Sequence, residues 1–572
     1  MKLISELLLY LDKKTYLMLM KNSCEKYLEE LTESVISKFP SFRFILEIDV
    51  LDLLNLHPDL GNWLLKEPLQ FQRACSEILY ACLQSLNNDN KAVEFAQVIT
   101  NLRLKCVPQL EFRWKSRSYT GLTSIYGLLV SVSKPESYVN YTVWSCPEEC
   151  EGNEIIRHYI PEVPPKCCVC KSVQFENSGL RHCGERVIAK FKLKKCLLPA
   201  TFTIVDDLIS KLNVGGHYII YLTAVKNSAI VWDLEQSFSL RAPLTSPVPT
   251  DVKEIFNACN GIPWQFIYCL ASSIGIEVSP LHSFMHLKIS LLLSLASLKA
   301  NIQTGSTIIH VLAAGYDTGC VGRLMEKGAE LADSAVFLGT THTVASTAVL
   351  GSSGGVCAMP LPLHIYNQKA TSAILSFIET GEVATEMGKV KLRSAIWAQG
   401  MDFNKTNLVN VASVFGNVCR GDYGEYNEET LEFLLQNTVE PTETSKEERE
   451  ALKDVRLYLD LVGGINVSVG VCAEKLLRKY FLAARRESPR RVPVSSMGWL
   501  VASCMTSARL CQRATAGADD AVFAIWLHAC GALEPRCAPE EYLQTPTDVQ
   551  TLQNMMDKFK HWLEQFIGSY IL

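Results

Sequence analysis

Five cysteines between positions 146 and 170 carry the most chemically specific spacing in the chain. Cys146 and Cys150 form a C-x3-C pair, and after an excursion over 151–166 Cys167 and Cys170 form a C-x2-C pair, with Cys168 spare. Two short knuckles joined by a longer excursion supply the four soft ligands that tetrahedral zinc prefers. A closed four-ligand site leaves no position for substrate, so the metal expected here is structural. The first knuckle is one residue longer than the commonest spacing, which leaves His158 or His182 as a substitute ligand. Buried thiols without metal are the alternative. Directly afterwards, residues 186–195 alternate: Val187, Ala189, Phe191 and Leu193 on one face, Lys190, Lys192 and Lys194 on the other. Lysines on one strand face could follow a phosphate backbone. They could equally guard a solvated edge strand against aggregation.

These residues need a β framework, and the surrounding texture predicts one. GLLVSVS at 127–133, TFTIV at 201–205 and HYIIYLTAV at 217–225 read as strands, with a turn at Asn213, Gly215 and Gly216 before the last. Short strands so spaced predict a small barrel or sandwich. The first hundred residues read as mostly helical, with one strand near 44–50. Residues 242–263 hold Pro243, Pro247, Pro249 and Pro263, a linker composition. Beyond them helices alternate with apolar runs at 307–315, 334–339, 354–359 and 394–400, which predicts an α/β domain with a mainly parallel sheet. An acidic helical stretch over 428–460 reads as a solvated face or an insert. Helical segments near 470–486 and 494–530 and an amphipathic helix near 548–567 complete the chain. Trp264, Trp397, Trp526, His310 and His364 read as packed residues.

With 572 residues the chain has room for three or four domains of roughly 150 residues. A net charge of -5 excludes a global polycation that coats nucleic acid, though not a local basic groove. Twenty-one cysteines, odd in number and irregular in position, argue for a reducing compartment rather than a disulfide scaffold. The amino terminus carries Glu6 within its apolar run and has no small-residue cleavage site, so no signal peptide is expected. The apolar stretch 281–298 contains His282, His286 and Lys288, so it predicts a buried helix rather than a membrane span. A soluble intracellular protein is expected.

Three stretches resemble the minichromosome maintenance (MCM) family. LEIDVLDLLNLHPDLGNWLLKEP at 46–68 is similar to part of the amino-terminal A domain. The region from Gly127 through the cysteines to Val225 is similar to the family's oligonucleotide-binding (OB) barrel, including Pro199 to Leu208 and Asn213 to Tyr218. Gly354-Gly355-Val356-Cys357 resembles the run before the Walker B acids. The carboxy-terminal SARL and ADDAVFA add to this, and YFLAARR at 480–486 is most like a meiotic MCM-like group. The resemblance implies a multidomain α+β and α/β chain: a helical A domain at 1–105, an OB-fold with zinc-knuckle insert at 106–245, a linker at 246–265, a degenerate AAA+ core at 266–465 and a helical lid at 466–572.

It also implies where ATP chemistry would sit. The family's P-loop reads G-D-P-x-x-x-K-S. The matching residues are Gly315, Tyr316, Asp317, Thr318, Gly319, Cys320, Val321 and Gly322, so Val321 stands for the lysine and Gly322 for the serine. Arg323 lies one residue beyond. Pro360 and Leu361 occupy the places of the two Walker B carboxylates, Gly400 that of the sensor asparagine and Val414 that of the arginine finger. An arginine finger alone is worth roughly 10³–10⁵ in rate in phosphoryl transfer. No ATP hydrolysis is expected, and the degenerate nucleotide site would serve assembly.

The resemblance implies a nuclear protein of meiotic recombination, crossover formation and double-strand-break repair. It would bind single-stranded or branched DNA and work with other MCM-like proteins, with no membrane partner. A helicase subunit borrowing catalytic groups in trans and a scaffold that binds no DNA are the alternatives. The cluster Arg485, Arg486, Arg490 and Arg491 reads as a solvated loop, a nuclear-import signal or a DNA patch.

Overall fold

The computed structural model describes residues 2–33, 42–87, 93, 95–108, 110, 121–148, 150, 155–157, 159–178, 181–193, 199–225, 228–237, 247–315, 318–340, 344–385, 388–400, 406–421, 428–439, 446–489, 492–531 and 536–568. The chain divides into two compact units, Met1–Ser237 and Phe238–Leu572.

The first unit begins with helices α1 (Lys2–Lys13) and α2 (Tyr16–Glu33), strand β1 (Phe42–Asp49), and helices α3 (Val50–Leu56), α4 (Pro58–Lys66) and α5 (Pro68–Leu86). Strand β2 (Val98–Lys105) pairs parallel to β1 along its whole length. Proline opens both α4 and α5, where its fixed φ suits a first helical turn and its missing N–H costs nothing. Asp49 caps α3 by accepting from the Asp52 N–H at 2.9 Å. On α2 the side chains of Met20, Cys24, Tyr27 and Leu28 turn inward at helical spacing.

The same unit continues with β3 (Leu122–Val132), β4 (Glu136–Ser145), β5 (Ile155–Arg157), β6 (Phe175–Glu176), β7 (His182–Leu193), β8 (Ala200–Val205), β9 (His217–Val225) and β10 (Ser228–Gln236). These pair antiparallel in the order β10-β9-β3-β7-β4-β5, with β8 on β7 and β6 on β4. The sheet curls around one core to which β3, β7, β8, β9 and β10 all contribute, Phe191, Phe202, Tyr218 and Leu222 among them. Among the described residues no ladder joins β8 to β10, so hydrogen bonding does not close the curl. Arg103 fastens the helical part to the β part. It forks onto Asp207 at 2.8 and 2.6 Å and also donates to the Leu102 and Trp232 carbonyls. Residues 1–105 and 106–237 therefore form one unit rather than two.

The second unit opens with α6 (Thr250–Ala258), α7 (Pro263–Ser272) and α8 (Met285–Thr304), then β11 (Val311–Ala314), α9 (Thr318–Ala329), β12 (Ala335–Phe337), α10 (Ala345–Gly351) and β13 (Val356–Pro362). It continues with α11 (Gln368–Thr380), the hairpin β14 (Glu382–Thr385) and β15 (Gly388–Lys391), β16 (Ala395–Gly400), α12 (Thr406–Phe415) and β17 (Cys419–Arg420). The remaining elements are α13 (Glu428–Val439), α14 (Lys446–Gly463), β18 (Ser468–Val469), α15 (Val471–Glu487), α16 (Ser495–Leu510), β19 (Thr515–Ala516), α17 (Ala518–Ala529) and α18 (Val549–Ile567). The main sheet is parallel, ordered β12-β13-β16-β11-β17. The first strand in sequence is thus flanked by the last two, which makes its carboxyl end a switch point of the kind where ligands bind in open α/β sheets.

Two expectations are corrected here. The proline-rich segment 246–265 is no bare linker, because it holds α6 and the start of α7, and Val252 is buried in the unit's core. The stretch 428–460 is only partly a solvated face: Val455, Tyr458 and Leu459 of α14 are buried against the core. Residues 285–300 of α8 are all buried, as the run 281–298 predicts. Its cations are held accordingly. Lys288 Nζ donates to the carbonyls of Pro280 (2.8 Å) and Leu281 (3.2 Å), and Lys299 pairs with Asp333 (2.7 Å) and Asp460. No described helix is long and apolar enough to cross a membrane.

Candidate metal centre and phosphate-site positions

The two knuckles meet. The Sγ atoms of Cys146, Cys150, Cys167 and Cys170 all lie within 4.8 Å of one another, so the four could hold a metal ion. Cys146 Sγ stands 3.3 Å from Cys170 Sγ and 3.7 Å from Cys150 Sγ. Cys146 leaves the end of β4. The second knuckle is a tight turn in which the Lys171 N–H donates to the Cys167 carbonyl (3.1 Å) and the Cys167 N–H to the Ser172 carbonyl (2.9 Å). Lys171 adopts φ 59, the left-handed conformation that closes the turn. Ser172 donates from its hydroxyl and backbone to Cys170, pulling that thiol down to about 6, whereas the neighbouring Cys170 sulfur and burial push Cys150 up to about 12. Cys170 is thus the thiol of the group disposed to ionise. Cys168 is exposed and outside the group. His182 sits at the start of β7 near Arg43 and Asp206, not among the sulfurs, and His158 lies outside the described residues.

From 146 to 176 only Cys146, Cys167 and Gln174 of the described residues are buried. Tyr159, Ile160, Val163, Val169, Val173 and Phe175 are exposed. The excursion has almost no core of its own.

On β7 the alternation holds. Val187, Ala189, Phe191 and Leu193 are buried, Lys190 is exposed and Lys192 half-buried, while Lys194 lies outside the described residues. β7 pairs with β3 on one side and with β8 and β4 elsewhere, so the lysines stand on a paired strand rather than a bare edge.

In the second unit residues 315–317 join β11 to α9, and residues 318–322 form the first turns of α9. Gly315 is buried, Gly319 exposed, and Tyr316 and Asp317 lie outside the described residues. Val321 is buried in the core, where a P-loop lysine would extend toward phosphate. A β-carbon on Gly322 would meet the Pro360 carbonyl oxygen at 2.6 Å and Gln399 Nε2 at 3.2 Å. The reason lies in β13, whose register against β16 shifts between Met359 and Pro362. The resulting bulge carries Pro360 and Leu361; Gln399 donates to the Pro360 carbonyl, and the Leu361 N–H donates to Tyr366 Oη at 3.3 Å. Gly400 is buried at the end of β16, paired with Ala314. Val414 lies on α12, whose end is sealed by α16: Ser495 donates to the Ser413 carbonyl and Ser496 to that of Gly416. Val414 also lines a groove of about 890 Å³ with His310, Lys391 and Trp499. Arg323 is exposed and donates to Cys320 Sγ at 3.5 Å. Sequence reasoning missed Gln399, whose role depends on the bulge in a neighbouring strand.

The family model "MCMDC2, N-terminal domain" matches residues 3–107. Minichromosome maintenance domain-containing protein 2 of Mus musculus is 21% identical over 91% of this chain and 89% of its own length. The Rattus norvegicus protein of that name is 23% identical over 59% of this chain, and the Homo sapiens protein 22% over 57%. Those two matches span about half the length of each relative, 54% and 52%. The chain is therefore an MCM-like protein. Over most of its length it is similar to minichromosome maintenance domain-containing protein 2, and residues 3–107 match the N-terminal domain of that family.

Proposed function

We propose that this chain is a non-catalytic MCM-like subunit that binds single-stranded or branched DNA and assembles with other MCM-like proteins. Its setting is the nucleus, in meiotic recombination, crossover formation and double-strand-break repair. The curled β-sheet acts as an OB-type nucleic-acid platform, with the face of Lys190, Lys192 and Lys194 toward phosphate. The four-cysteine group holds a structural zinc ion. The parallel sheet is an AAA+-like module, and the helices from α15 onward are its lid.

One observation carries the absence of catalysis: the backbone of Gly322 abuts Pro360 and Gln399. A P-loop needs a lysine and a hydroxyl facing phosphate and Mg²⁺ there, beside carboxylates on the neighbouring strand. Here a proline carbonyl and an amide fill that ground and Val321 points into the core. The test is ATP turnover and nucleotide binding by the purified full chain. No turnover above background is expected. Hydrolysis that disappears on substituting residues 315–323 would refute the reading.

A further inference from the structure

The helix α15 buries Ala473, Leu476, Leu477, Tyr480 and Ala484, leaving a single outward face. At 3.6 residues per turn that face carries Lys475, Arg478, Lys479 and Arg486, all exposed, with Val471, Cys472 and Leu482 between them. Of the helix's carboxylates Glu474 borders this face and Glu487 lies on the other side at the helix end, and the described ion pairs engage none of the four cations. Arg485 flanks the face with its guanidinium over the Phe481 ring, 5.9 Å from the centroid.

Helix stability does not account for this arrangement. Lys475 and Lys479 repel at i, i+4 spacing, and the Glu474–Arg478 spacing offsets that repulsion without favouring the other cations. Only Arg485 and Arg486 lie in the last turn, where cations help. Four like charges kept together on a chain of net charge -5 point to a polyanion outside it. From Lys475 to Arg486 the face runs roughly 16 Å, the length of about five phosphates along one strand. Membrane insertion does not suit it, since the helix's wide apolar side is already spent on the core.

We propose that the outer face of α15 is a second nucleic-acid contact, gripping the phosphate backbone through Lys475, Arg478, Lys479 and Arg486 without reading bases. The observation behind the contact is clustered charge alone, so the group it assigns to the face is the phosphate. The inference extends the nucleic-acid reading to the second unit, but it stands or falls separately from the strand lysines.

The experiment measures binding of the full chain to a labelled oligothymidine and to a duplex of equal length across a salt series. Three proteins are compared: unaltered, Lys475→Gln/Arg478→Gln/Lys479→Gln/Arg486→Gln, and Lys190→Gln/Lys192→Gln. The α15 variant should melt normally, because its substitutions are exposed. Its salt slope on single strands should flatten by about 0.7 for each phosphate no longer neutralised, up to about 3. The duplex arm tells whether the backbone must be unpaired. An α15 variant with unchanged affinity and slope on both probes overturns the proposal, including the case in which only the strand variant binds less. Weaker binding by the α15 variant alone upholds it and removes the strand face instead.

Discussion

At the four cysteines the sulfur positions are set by two turns, while the described residues between them contribute almost nothing to a core. A segment with so few buried side chains needs a staple to stay ordered. Replacing Cys170, the thiol most disposed to ionise, with serine should abolish bound zinc as read by atomic emission. Amide exchange should accelerate over 146–176 and remain slow on β7 and β9. Zinc retained at the level of the unaltered chain would mean that the cysteines are inert. The C-x3-C and C-x2-C spacing was legible because a metal knuckle is a local motif. The left-handed Lys171 was not, since glycine or asparagine is the usual signal for that conformation.

Among elements, α8 and α14 are joined by a buried charge cluster. Lys299 pairs with Asp333 and Asp460, and Arg456 reaches Asp333 at 2.9 Å. Burial raises the Asp460 carboxyl above its ordinary value, with Lys299 opposing. Lys299→Met leaves the buried Asp460 without its cation and Asp333 with Arg456 alone, and should cost about 3–5 kcal/mol at neutral pH. Without the lysine the Asp460 carboxyl protonates more easily, so the loss should shrink as pH falls. Urea midpoints at neutral and mildly acid pH check both statements, and a pH-independent loss would contradict them. Sequence alone could not pair residues so far apart, and for the same reason 428–460 read as solvated. Helix α6 was hidden by its prolines, although Pro249 immediately precedes its first turn, where proline is tolerated. The alternation on β7 was legible because period two survives without tertiary knowledge. On α15 the run of arginines drew the eye to the helix end, while the period of 3.6 placed the larger cationic face upstream.

Across the molecule, the second unit should be the acid-sensitive one. Burial lowers His310 from 6.5 to about 4, and His528 likewise to about 4. His310 Nδ1 accepts the Ile396 N–H at 3.1 Å, and His528 Nδ1 meets Tyr480 Oη at 3.0 Å. Both rings bind protons less readily folded than unfolded. Their stabilisation is therefore complete above about 6.5 and is lost as pH falls toward about 4. The melting temperature should drop across that window, and less steeply in His310→Gln; an identical pH profile in the variant would dismiss the idea. The parallel order of the sheet was anticipated only as a class, because strand neighbours depend on crossovers that no local pattern encodes. The bulge at Pro360 has a practical corollary for genetics. Investigators usually silence a motor by mutating its P-loop lysine, but here Val321 already occupies that seat and a proline backbone leans on the next. Under the proposed non-catalytic reading such an allele would probe packing rather than fuel use, and a side chain restored at Gly322 would still meet the Pro360 carbonyl.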